Sequence, residues 1–85
     1  MIGILKQCRI ELEEFPKEIR EGLADMLARL DVGIMLSMPV SRPMPSIGRS
    51  VHELRLRDRS GIYRVIYVLM RQGDIWLVHA FQKKS

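Results

Sequence analysis

Residues 51–82 keep a two-residue rhythm of apolar and polar positions, whereas residues 5–31 keep one near 3.6. In VHELRLRD, His52, Leu54 and Leu56 fall on one face of a strand, with Val51, Glu53, Arg55 and Arg57 on the other. DRSG follows with turn chemistry. IYRVIYVLM is apolar on both faces, the pattern of a central strand. RQGD makes a second turn and IWLVHAFQ a third strand. Two hairpins in series predict an antiparallel meander.

Upstream, Leu5, Cys8, Leu12 and Phe15 step by three and four, which predicts a helix with one buried stripe. Pro16 breaks it, because proline lacks a backbone donor and drives the preceding residue out of the α region. Proline suits the first turn of a new helix, and Glu18 and Glu21 suit the positive end of its dipole. That second helix buries Ile19, Leu23, Met26, Leu27 and Leu30, exposes Lys17, Glu21, Asp25 and Arg29, and stops at Asp31–Gly33. Gly22 costs it about 1 kcal/mol relative to alanine. Met1–Leu5 reads either as a clipped edge strand or as a lead-in to the first helix. Residues 32–50 contain SMPVSRPMPSIGRS, which has no period and reads as loop. Met35, Met38 and Met44 are expected to cover a flank of the core. The expected architecture is α+β: a two-helix hairpin packed on one face of a three- to four-stranded antiparallel sheet, as a single domain over 1–85. The other face of the sheet is left open to a ligand.

Composition narrows the function. An apolar share of 47% and a charged share of 28% are those of a globular domain. Cys8 stands alone, so there is no intramolecular disulfide and no thiolate metal site, and it reads as a small core residue. No segment reads as a signal peptide, and no apolar run approaches the roughly 20 residues of a spanning helix. A cytoplasmic, soluble domain is expected. Residues 1–48 carry six Lys/Arg against seven Asp/Glu, a balance of −1; residues 49–85 carry eight against three, a balance of +5. The basic half predicts a polyanionic partner, nucleic acid first and an acidic protein second.

The hairpin turn at Arg59 and Ser60 sets Arg55 and Arg57 opposite the region of Tyr63 and Arg64, where cross-strand neighbours lie about 5 Å apart. Arginines so close repel unless an anion lies between them, and a phosphate matches their bidentate fork. Alternatively they line a solvated face and Glu53 neutralises one of them. Arg64 interrupts an apolar strand, and an unpaired buried guanidinium costs several kcal/mol, so it either pairs internally with Glu53 or opens onto a groove. His79 is a core histidine with one hydrogen bond or a proton carrier. The histidines and carboxylates lack metal-ligand spacing, and there is no phosphate-binding glycine loop, so neither metal nor cofactor is expected.

Taken together, VHELRLRDRSGIYRVIYVL and WLVHAFQKKS resemble the RelE/HigB-type toxins of bacterial toxin–antitoxin systems, in particular their phage-derived HigB-like branch. The helical FPKEIREGLADMLARL is similar to the helical hairpin of that family. The resemblance implies a metal-independent endoribonuclease that cuts mRNA, on the ribosome or free of it, has no small-molecule cofactor and is neutralised by a cognate antitoxin protein. In such an enzyme a 2′-hydroxyl attacks the adjacent phosphate, and fixed cations stabilise the phosphorane. By residue, the resemblance makes Arg64 the phosphorane-stabilising cation, Arg55 and Lys84 further catalytic cations, and His79 a proton carrier. Arg57, Lys83, Tyr63 and Phe81 are the expected RNA contacts. Glu53 stands where RelE carries lysine. The family continues past KK into a tail, and the chain is read as a RelE-like domain without it. The alternatives are a non-catalytic, antitoxin-binding remnant and a ParE-like gyrase-directed toxin.

Overall fold

A computed structural model describes residues 1–83; the expected catalytic Lys84 lies outside them. The elements in chain order are β1 (Ile2–Ile4), α1 (Lys6–Glu13), α2 (Lys17–Asp31), β2 (Ser41–Pro43), β3 (Val51–Asp58), β4 (Gly61–Leu69) and β5 (Ile75–Lys83). The five strands form one sheet in the order β1-β5-β4-β3-β2. The β3–β4–β5 meander is as the periodicity predicts, with β4 at the centre. Two short strands extend it at its edges. β1 pairs parallel to β5, which resolves the alternatives for the N-terminus in favour of an edge strand. β2 forms within the stretch expected to be loop and pairs antiparallel to β3. Three residues each carry too little periodicity to be seen, and both strands exist only because a long neighbour offers them a free edge.

The helices meet at Pro16, whose φ of −57° and ψ of 150° cap α2. α1 packs on β5 and α2 on β3, covering one face of the sheet. Their stripes bring Cys8, Leu12, Phe15, Ile19, Leu23 and Leu30 against Leu54, Leu56, Tyr63, Val65, Tyr67 and Leu77. Met26 and Leu27 are partly buried at the margin of this core. Cys8 is fully buried, and burial, helped by Glu11, pushes its thiol up to about 11. Met35 and Met38 do not cover the core: they are 72% and 70% exposed. Gly33 breaks the chain direction after α2 at φ +91°, and the segment that follows meets the sheet through β2 instead.

The Ser41 hydroxyl ties β2 to the sheet through a 2.6 Å hydrogen bond with the Tyr67 phenol, both residues being 2% exposed. Burial pushes the Tyr67 phenol above its usual range, and the bond to Ser41 opposes this. Tyr67→Phe therefore strands a buried hydroxyl. It is expected to cost about 1–2 kcal/mol, read as a lower urea midpoint at unchanged slope. An unchanged midpoint would show that the bond carries no net stability.

Candidate nucleic-acid interface

The face of the sheet away from the helices is built in rows, because register partners on neighbouring strands point to the same side. The first row is Gly3, Trp76, Val68 and Val51, and it is apolar. A Cβ at position 3 would fall inside the indole of Trp76, so glycine there lets the ring lie across β1. The second row is Arg42, Glu53, Ile66 and His79. The third is Arg55, Arg64 and Phe81, and the fourth Arg57, Ile62 and Lys83. The open face thus runs from apolar to basic, and its basic end carries Arg42, Arg55, Arg57, Arg64 and Lys83, with Glu53 the acidic residue among these described row positions.

One irregularity in β5 decides who stands in those rows. Ile66 pairs with His79 but Tyr67 with Leu77, so Val78 is an extra residue, a β-bulge. Strict alternation from the buried Leu77 would put His79 and Phe81 under the helices. The bulge resets the phase, sends Ala80 into the core and leaves His79 and Phe81 on the open face, stacked with ring centres 5.0 Å apart.

Arg55 and Arg64 are direct cross-strand partners, closer in register than the sequence reading could specify. The Arg55 N–H donates to Val40 O at 2.8 Å on the β2 side. The pair is therefore of the non-hydrogen-bonded kind, whose Cα atoms lie about 4.5 Å apart and whose side chains are the closer. Arg64 does not simply open onto a groove. It is 9% exposed, and its Nη1 donates to both oxygens of Glu53, at 3.0 and 3.2 Å. Glu53 is 3% exposed, and Arg42 Nε also stands 3.3 Å from its Oε1, within ion-pair range but off the line of a hydrogen bond. Glu53 thus neutralises Arg64 and Arg42, not Arg55 or Arg57. Arg55 is half-buried; Arg57 and Lys83 are exposed.

His79 is neither a core residue nor unpartnered. Its Nδ1 meets both carboxylate oxygens of Glu11 on α1, at 3.1 and 3.0 Å, and the Ala80 N–H donates to the same carboxylate at 3.1 Å. Glu11 so caps the part of the β5 edge that β1 leaves uncovered. Tyr63 departs from its expected role as an RNA contact. It faces the helices at 5% exposure, packs on Phe15 with ring centres 4.8 Å apart, and its hydroxyl meets Ser60 at 2.6 Å. It belongs to the core and to the β3–β4 turn, since alternation along β4 gives Tyr63 and Arg64 opposite faces. Glu11 and Arg42 are the residues that sequence reasoning missed. Glu11 is 68 residues from His79, and Arg42 lies in a stretch without period, so neither left a local signal. Among the described residues no three His, Cys, Asp or Glu side chains converge as a metal site would need, and no helix is long and apolar enough to cross a membrane.

The fold is that of the RelE toxins. The chain aligns over its full length with 84% of a mutant E. coli toxin RelE solved in complex with a peptide of the antitoxin RelB, at a TM-score of 0.73 and 15% identity. It also aligns over its full length with 98% of a chain in the intact E. coli RelBE toxin–antitoxin complex, at 0.69 and 15%. No curated protein matches it by sequence. The family model for phage derived protein Gp49-like matches residues 10–85, and the chain belongs to that family.

Proposed function

We propose that this protein is the toxin of a toxin–antitoxin pair and that it cuts mRNA at the basic end of its open sheet face. The observation that carries this is the row Arg55–Arg64–Phe81 across β3, β4 and β5: two guanidinium side chains on adjacent strands with an aromatic ring beside them. A scissile phosphate between the arginines would relieve their repulsion, and a base could stack on Phe81. Arg55, Arg64 and Lys84 would gather the charge that develops on the phosphoryl oxygens when the 2′-hydroxyl attacks. Arg57 and Lys83 extend the cationic surface along the strand ends, for the neighbouring phosphates of an mRNA held on the ribosome. His79, oriented through Nδ1 by Glu11, keeps Nε2 for proton transfer. The partner that silences it would be an antitoxin, as RelB is bound to RelE in the solved complexes. A cleft of about 510 Å³ beside β3, floored by Ile19, Met26, Val40 and Leu56 with Arg55, Arg57 and Glu18 around it, offers such a protein an apolar floor with charged groups at the rim.

A second reading has its own observation. Glu53 already occupies one corner of Arg64, which lowers the charge available to a phosphate and favours a non-catalytic, antitoxin-binding module or a gyrase-directed toxin of the ParE kind. Induced expression in a bacterial host separates the three. The nuclease reading expects growth arrest within minutes and new transcript ends bearing 2′,3′-cyclic phosphates. Arrest with altered plasmid supercoiling and intact RNA would select the gyrase reading. Normal growth, with tight capture of the neighbouring reading frame's product, would select the binding module.

A further inference from the structure

We infer that Glu53 is the positioning residue of the anion site, a built-in counter-charge that fixes Arg64 at the cost of anion affinity; the inference rests on the phosphate reading of this face. Glu53 sits at the middle of β3 with β2 on one side and β4 on the other, and its carboxylate lies between Arg42 and Arg64. Among the described residues it is the carboxylate within ion-pair range of Arg42 and Arg64, and at 3% exposure it is more deeply placed than either arginine.

The way Arg64 is held is uneven. Both hydrogen bonds to Glu53 come from Nη1. Nε is buried without a partner, and Nη2 makes no hydrogen bond among the described residues. The guanidinium is planar and rigid, so anchoring one corner fixes the whole fork. Nη2, the donor group that is neither buried nor bonded to Glu53, then stands at a set angle on the strand beside Arg55. Without Glu53, three arginines (42, 55 and 64) would share one end of one sheet face with nothing to oppose their spreading apart. With it, their summed charge falls from +3 to +2. Ground-state attraction for a phosphate is given up, while the orientation that a phosphorane requires is gained. Only interactions stronger in the transition state than in the ground state accelerate a reaction, and a pre-oriented donor is of that kind.

This division predicts two effects of opposite sign. Glu53→Gln keeps an acceptor for Arg64 and removes the charge. A single-stranded RNA oligonucleotide with one 2′-deoxy residue at the cut site, which cannot be cleaved, should bind the variant about five times more tightly, with a salt slope steeper by up to about 0.7. Single-turnover cleavage of the all-ribose strand should slow about tenfold, because one neutral amide oxygen replaces the two carboxylate oxygens that pin Nη1, and the fork is held less firmly. A residue that merely supports the fold would weaken both or neither. Unchanged or weaker binding by the variant, or undiminished cleavage, overturns the inference. Failure of the wild type to cut any RNA removes the nuclease reading alone, since the affinity change still decides for Glu53. Should Glu53→Gln not fold, NMR of the wild-type Arg64 side chain decides. Slow rotation about the Nε–Cζ bond with distinct Nη1 and Nη2 signals is expected, and a freely averaging guanidinium overturns the inference.

Discussion

Arg64→Ala is expected to remove RNA cleavage and to cost about 3 kcal/mol of stability, so the loss of activity alone will not identify a catalytic role. The stability loss follows from Glu53. Its carboxylate is 3% exposed and takes two hydrogen bonds from Arg64 but only an off-line ion pair from Arg42. Truncating Arg64 leaves that charge buried with a poor partner, and breaking one side of a buried pair costs about 3–5 kcal/mol; Arg42 places the effect at the low end. A domain this small has few such units to lose. Equilibrium unfolding in urea measures the effect directly. A midpoint within error of the wild type would mean that Arg64 and Glu53 are not paired in solution. Arg64→Met separates lost packing from lost charge: it retains the apolar stem in β4 but leaves Glu53 equally uncompensated, so it should lower the midpoint by a similar amount.

Arg55→Ala is the cleaner functional test, and it is expected to lower cleavage by about 100-fold, the typical cost of removing one donor aimed at developing charge. Arg55 is the cross-strand partner of Arg64 and, among the described residues, makes no ion pair with a carboxylate. Its removal also relieves a cross-strand repulsion, so the unfolding midpoint should stay within about 0.5 kcal/mol of the wild type or rise slightly. Reduced toxicity on expression, with soluble protein at wild-type levels and intact transcripts, would be the supporting pattern. Full toxicity and unchanged cleavage ends from Arg55→Ala would take the phosphate out of the row Arg55–Arg64–Phe81 altogether.

Periodicity alone was enough for the hairpin of helices and the three long strands, because each must bury one stripe or one face and the apolar spacing records which. The two edge strands were beyond its reach. β1 and β2 are three residues each and are defined by what they pair with. For Met1–Leu5 an edge strand was one of two alternatives, but β2 was read as loop, and that hid Arg42, since nothing local says that a residue of a proline-rich loop lies beside Glu53. Of the candidate residues, Arg55, Arg57, Arg64, Phe81 and Lys83 share one face of the sheet, while Tyr63, adjacent to Arg64, is core. Glu53 was a candidate partner for Arg64 and also for Arg55 or Arg57; the carboxylate holds Arg64, and Arg42 besides, but neither of the other two.

Composition and alternation determined the layers, the basic character of the C-terminal half and the conflict posed by a cation inside an apolar strand, because those depend on residue order within one element. The tertiary structure alone decided how that conflict is resolved. A one-residue bulge at Val78 selects which β5 side chains face outward, and strand register selects Glu53 as the partner of both Arg42 and Arg64. Both depend on contacts between segments distant along the chain, where a shift of one residue would turn every side chain to the opposite face.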